Sequence, residues 1–390
     1  MLLIMSRYHK QYQRNKHFFK LKGILRIATV FCFAFFLHAC IEQVDSDFRL
    51  QADIVFVDGY ALTEEGESSI TITKSILFNG DNYRTENVAD AKVKLENIGT
   101  GEVVDFPVDF RGIYICPPEF AVVPGEQWKL HIELEGGRKI ESTAQTVSQP
   151  IQIDNIEAVY SPELKYNAQF DVLAPGHSIN IDWQDPADTD NFYLWRYKTY
   201  EQLFVCKTCV KGVFRNGECD QSVPPWGPDY FNYRCFPTCW QIELGSEIPI
   251  FEDRLENGAN ITNRQIIELQ YYRRTNILVE LQQLSLDAAA FEYFKVLNSQ
   301  ISEGAGLNAP PPAALLGNLF NPSDANDLVL GNFTAAGVST ERVYINRAAI
   351  QENPVNPSDI VILENCIGCP TTFPCEESIS RTSIKPEGWP

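Results

Sequence analysis

Trp128-Lys129-Leu130-His131-Ile132-Glu133-Leu134 alternates apolar and polar residues without a break. A period of two puts Trp128, Leu130, Ile132 and Leu134 on one face of a strand and the polar residues on the other. One side of such a strand lies on a core and the other in water, as in an antiparallel sheet. Ala91 to Glu96 alternates in the same way, and Ile54 to Val57, Ser69 to Phe78, Gly112 to Cys116 and Lys139 to Val147 read as further strands. The breaks between them are Asn79-Gly80-Asp81-Asn82, Gly99-Thr100-Gly101, Pro124-Gly125 and Gly136-Gly137, all turn chemistry. No long amphipathic pattern interrupts the series.

About seven short strands with one apolar face predict an immunoglobulin-like β-sandwich over residues 51–148. Pro150 and the Ile-Gln-Ile-Asp run after it read as a linker into a second β domain, residues 149–390. Ile179, Ile181 and Trp183 share one strand face, Asp185 to Asn191 form an acidic turn, and Tyr193 to Tyr197 alternates again. A Trp-ended strand, a Pro-containing turn and a Tyr/Trp strand resemble the middle of a fibronectin type III sandwich. The next clear strand, Ile277 to Leu281, comes 80 residues later, so residues 204–260 read as a Cys-rich insertion outside the sandwich core. Residues 286–301 carry Phe291, Phe294, Leu297 and Ile301 at helical spacing, with Ser285 or Asp287 as cap and Gly304 as stop. Val329 to Phe333 and Glu341 to Asn346 are expected to close the domain as a strand pair.

The N-terminus has a different chemistry. Residues 1–39 hold seven basic residues and no acidic one, and end in an apolar run from Ile24 to Leu37. That is a signal peptide with a basic n-region, beginning at Met1 or Met5, and its apolar run is short for a membrane span. Leu37-His38-Ala39-Cys40 resembles a lipobox, which makes Cys40 the expected lipidated N-terminus of the mature chain. Three acids within residues 41–47 begin an acidic tether, residues 40–50, similar to an export tag for the outer face of an outer membrane.

The whole chain of 390 residues carries 32 Lys plus Arg against 51 Asp plus Glu, a formal charge of −19. Without the signal the charge falls to about −26. Nucleic acid is thereby excluded as a partner, since phosphate binding needs clustered cations. Anionic lipid is also repelled, so membrane attachment has to be covalent or hydrophobic.

Beyond Cys32 and Cys40, nine cysteines remain. Cys116 stands alone, and Cys206, Cys209, Cys219, Cys235, Cys239, Cys366, Cys369 and Cys375 cluster in the insertion and the tail. Two C-x-x-C pairs meet the spacing of a four-thiolate zinc site, and redox chemistry is open on spacing. An exported chain favours disulfides, whose connectivity spacing does not reveal.

Enzyme signatures are thin. Outside the signal the histidines are His131, on a polar strand face, and His177, after Pro175-Gly176 in an expected solvated turn. No nucleophile elbow, zinc-protease helix or phosphate loop is present, so neither an enzyme nor a cofactor is expected. Asp185, Asp188 and Asp190 lack the Gly and terminal Glu of a calcium loop and read as a solvated turn. Pro224 to Tyr233 packs four aromatics into a Pro-rich loop. Trp226 and Tyr230 there are either contact residues or a small core for the insertion.

The order of these motifs carries a family resemblance. It runs from Cys40 through Gly112-Ile113-Tyr114, the Trp128 strand, Ile181-Asp182-Trp183 and Asn191-Phe192-Tyr193-Leu194-Trp195. It continues through the Phe291 helix, Gly317-Asn318-Leu319-Phe320-Asn321-Pro322, Gly331-Asn332-Phe333 and a Cys-rich tail. The chain resembles the Bacteroidota outer-membrane lipoproteins grouped as domain of unknown function 4249, commonly encoded beside TonB-dependent receptors. The resemblance implies a cell-surface accessory or substrate-capture subunit of a TonB-dependent uptake system. A small molecule, glycan or peptide would be its ligand. The alternatives are a surface glycan or peptide hydrolase and an envelope adhesin or structural lipoprotein.

Overall fold

The computed structural model describes residues 53–78, 82–169, 171–208, 213–215, 218–220, 236–303, 315–355, 361–365, 375 and 377–390. The expected signal peptide, Cys40 and the expected acidic tether lie outside them. The described chain is mainly β. It starts with β1 (Val55–Leu62), β2 (Ser69–Phe78), β3 (Asn82–Asn87), β4 (Lys92–Asn97) and β5 (Val103–Phe106). β6 (Tyr114–Ile115), β7 (Gln127–Glu133), β8 (Lys139–Ser142) and β9 (Gln145–Thr146) complete the N-terminal part. Next come β10 (Asn155–Asn167), β11 (Val172–Gln184), β12 (Phe192–Thr208), β13 (Val213–Arg215) and β14 (Glu218–Asp220). β15 (Phe236–Leu244), β16 (Ile250–Glu252), β17 (Asn260–Gln270) and β18 (Ile277–Leu286) lead to the helix α1 (Ala288–Glu303). The chain ends with β19 (Leu319–Phe320), β20 (Val329–Ile345), β21 (Val361–Asn365) and β22 (Arg381–Thr382).

An 11-stranded sheet in the order β22-β15-β12-β18-β20-β1-β2-β3 is the spine, with β16 and β21 also on β12 and β6 on β2. Its β1–β2 part faces a six-stranded sheet, β19-β8-β7-β4-β5 with β9 on β7. Between them Val55, Val57, Ile70 and Ile72 meet Val93, Leu95, Trp128, Leu130, Ile132 and Ile140 in one core. This is the alternation of the Trp128 stretch made physical, each such side chain stabilising by about 1.5–3 kcal/mol on burial. The β12-β18-β20 part faces a three-stranded sheet, β10-β11-β17. Ile181, Trp183, Tyr193, Trp195 and Leu281 fill that second interior, with Ile179, Ile277, Val279 and Ile345 above them.

β20 joins the two halves. It runs parallel to β1 from Val329 to Ala336 and antiparallel to β18 from Gly337 to Ile345. The expected closing strand pair is therefore one strand of 17 residues, about 55 Å at ~3.3 Å per residue. The expected linker is also built in. Ile151 and Ile153 are buried, and their N–H groups donate to Ser285 Oγ at 3.3 Å and Ser339 Oγ at 3.0 Å.

α1 is shifted two residues from expectation at both ends, starting at Ala288 and ending at Glu303. Asp287 caps it, accepting the Ala290 N–H at 2.7 Å. Ala290, Phe291 and Phe294 pack on Leu62, Leu194, Leu284 and Val338, whereas Ile301 is exposed. The insertion is not wholly outside the sheets. β15 pairs with β12, Cys239 and Trp240 are buried, and Phe251 of β16 packs edge-on against Trp183. Its strands β15 and β16 pair along the edge of β12 opposite β18, and β21 pairs where β12 outruns β18 by seven residues.

Candidate functional site

The register of the spine gives the molecule two ends. The described chain enters at Asp53, beside Val55, which pairs with Val329 at the start of β20. At the other end of β20, Ile345 pairs with Ile277, and Ile277 with Glu201 of β12. β12 continues from there to Thr208, where it runs beside β21. The cysteine clusters thus attach to the end opposite Asp53.

A covalent tie and an aromatic contact hold this far end. Cys239 of β15 bonds Cys375 of the tail, closing a sequence separation of 136 residues, with Cα atoms 5.6 Å apart and Leu203 packed against the pair. Trp240 and Trp389 then meet edge-on at 6.1 Å, with Leu278 in the same cluster. Parallel pairing places Cys206 opposite Leu363 and ends at Thr208 and Asn365. The next residues in sequence are Cys209 and Cys366, one from each C-x-x-C pair. Cys219 lies in β14. Cys209, Cys235, Cys366, Cys369, Trp226 and Tyr230 lie outside the described residues. Cys116 is a buried free thiol, pushed up by burial.

The interior of the same end is charged. Glu201 accepts from Arg347 Nη1 at 3.0 Å and from Arg273 Nη1 at 3.0 Å. Arg347 also donates to the carbonyls of Thr275 and Arg273, and its guanidinium lies 5.3 Å from the Tyr271 ring centroid. With its side chain 1% exposed, Arg347 is held down by burial against the opposing pull of Glu201. A pair this deeply buried is costly to break, because one partner alone would be an uncompensated charge.

His177 belongs to this cluster, contrary to its expected place in a solvated turn. Pro175-Gly176 is not a turn: β11 runs straight through it. A Cβ on Gly176 would overlap the Leu269 carbonyl of the neighbouring strand, so glycine permits the close approach of β17. His177 then points inward at 4% exposure, its ring tilted at 59° against Tyr160 with centroids 5.3 Å apart. Burial, and then the charge of Arg347, pushes its imidazole down to about 4. It is neutral at pH 7, and its Nδ1 and Arg347 Nε have no hydrogen-bond partner among the described residues.

The acidic turn divides. Asp188 and Asp190 are exposed as expected. Asp185 is buried, accepting from the Tyr193 hydroxyl and from the Gly258 N–H at 2.8 Å, so it locks the β11–β12 turn to the chain before β17. His131 lies 2.8 Å from Glu96 and 3.5 Å from Glu141 on the outer face of β7. Among the described residues no group of three His, Cys, Asp or Glu is placed to hold a metal. Shallow depressions lie on the N-terminal part, one lined by Val93, Lys94, Asp105 and Phe106 and another by Glu119, Phe120, Glu126 and Trp128. Neither brings a nucleophile beside a base.

With the geometry in hand, residues 41–342 match the family described as domain of unknown function (DUF4249). The chain belongs to the DUF4249 family. No curated protein matches it. Among solved structures, trypsin-activated alpha-2-macroglobulin from Escherichia coli is similar at a TM-score of 0.17 and 9% identity. The similarity covers 61% of this chain and 15% of that one. A likeness that weak carries no argument about this DUF4249 chain.

Proposed function

We propose that this DUF4249 protein is a non-enzymatic, lipid-anchored subunit of an outer-membrane TonB-dependent uptake system, held at the cell surface through Cys40. One observation supports the reading above the others: the Cys-rich segments attach to the end of the spine opposite Asp53. A chain tethered through its N-terminus would carry those segments far from its anchor, where a receptor mouth or an incoming solute could be met. The far end is also tied by the Cys239–Cys375 disulfide and the buried Glu201–Arg347 pair. Rigid presentation lowers the ordering cost of binding. The β10–β11 hairpin adds exposed apolar side chains there, since Tyr166, Val172 and Leu173 project past the end of β17.

The test is purification of the native protein from detergent-solubilised outer membrane. A TonB-dependent receptor should co-purify in stoichiometric amount. Recovery of the protein alone, with turnover on a panel of glycans or peptides, would favour a surface hydrolase and reject the subunit reading.

A further inference from the structure

The near end of the spine carries a second projection. β1 pairs with β2 only between Ser69 and Lys74, so Ser75–Phe78 and the facing residues of β3 form a two-stranded ribbon beyond it. Leu77 and Tyr83 oppose each other on that ribbon and are 56% and 36% exposed; Phe78 is 45% exposed. The Arg84 guanidinium lies 4.5 Å over the Phe78 ring. Leu328, 43% exposed, precedes the first residue of β20 at the same end. Apolar side chains at the tip of an unsupported hairpin contribute nothing to a core, and a cluster of them marks a contact surface.

What that surface meets is indicated by where the chain enters. Asp53 N–H donates to the Ser75 carbonyl at 2.9 Å, and Ile54 N–H to Ser75 Oγ at 3.0 Å, so the N-terminal segment joins the fold at the base of this hairpin. Arg138 fixes the same point from the other side, donating to the Asp53 carbonyl at 3.1 Å while paired with Asp327. Between Cys40 and Asp53 the chain can span at most about 45 Å, and the ribbon reaches about 10 Å past Ser75. We propose that the β2–β3 hairpin is a foot that inserts Leu77, Phe78 and Tyr83 into the headgroup boundary of the membrane holding the lipid on Cys40. The inference rests on the lipidation of Cys40. Lys74 and Arg84 are offset there by Asp53 and Glu86, so the contact is apolar and interfacial, not a charge attraction to anionic lipid. Aromatic and Arg side chains with an apolar body and a polar end suit that depth. The foot would fix which way the far end points.

The experiment uses the full lipidated protein in phosphatidylcholine vesicles, with and without brominated phosphatidylcholine. The variants are Leu77→Trp and, on the far hairpin, Leu173→Trp. Both positions are more than half exposed, so neither change strains a core. The proposal expects the fluorescence added at residue 77 to be largely lost in brominated lipid and that added at residue 173 to persist. Equal persistence at both positions, in protein that floats with the vesicles, overturns the foot while leaving the anchor intact. Protein that does not float refutes the lipidation of Cys40 and the foot with it. A photo-crosslinker at residue 77 that yields a protein adduct and no lipid adduct in native membranes assigns the surface to a protein partner and also overturns the proposal.

Discussion

Acid should weaken this fold through one buried imidazole. His177 is held at about 4 in the folded chain, against ~6.5 for a free histidine. The unfolded chain therefore takes up a proton first as pH falls. Stability is intact above pH ~6.5, declines on the way to about 4, and changes no further from this group below that. At 1.36 kcal/mol per unit, the ceiling of the loss is about 3 kcal/mol. The group facing His177 supports the sign: the Arg347 guanidinium already acts on the imidazole, and a second positive charge there is disfavoured. Urea unfolding at pH 7 and 4.5 measures the effect, with His177→Phe as the reference because it keeps a ring against Tyr160. The wild type should lose about 2–3 kcal/mol more than the variant across that interval. An equal loss in both proteins would refute the reasoning and assign the acid response to carboxylates elsewhere.

Other outcomes follow from the same geometry. Gly331→Ala should cost about 2–3 kcal/mol in urea unfolding, because Gly331 has φ +105° and an added Cβ would overlap the Val57 carbonyl of β1. Cys239→Ser should lower stability by about 2–5 kcal/mol and free the tail to protease, and peptide mapping of the native protein should recover the Cys239–Cys375 pair. Replacing Trp226 and Tyr230 together by Ala should leave the thermal midpoint nearly unchanged and weaken complex recovery by about 1–2 kcal/mol if they are contact residues. Cys40→Ala should move the protein out of the membrane fraction.

The sheet facing β1 and β2 was legible because its strands have one wet face, so Trp128 to Glu133 alternates in burial as it does in sequence. β18 was seen only in part, since all ten of its residues are buried and a strand covered on both sides loses its period. β20 was read as two pieces because glycines at 331 and 337 and small residues between them weaken the strand signal where one strand changes partners. β10 and β17 were missed altogether. Both are edges of the three-stranded sheet, mostly half-exposed, and carry no clean alternation.

The site was less legible than the fold. Glu201 and Arg347 stand 146 residues apart, and only the β12–β18–β20 register brings them together. Pro175-Gly176 carries the sequence of a turn, and its use as a tight strand crossing depends on a neighbour, β17, that local sequence does not reveal. The cysteines were visible from the start, but the pairing of Cys239 with Cys375 needs the tail to return along β12 and β15.

Cross-linking of intact cells followed by mass spectrometry tests the central claim most directly. If the protein is a surface subunit whose far end meets a receptor, lysine cross-links to a TonB-dependent receptor should arise from Lys165, on the far hairpin. Lys74 and Lys92, near the entry of the chain, should give none. Receptor cross-links confined to Lys74 and Lys92, or none from any lysine in cells where surface protease leaves the body untouched, would contradict the account.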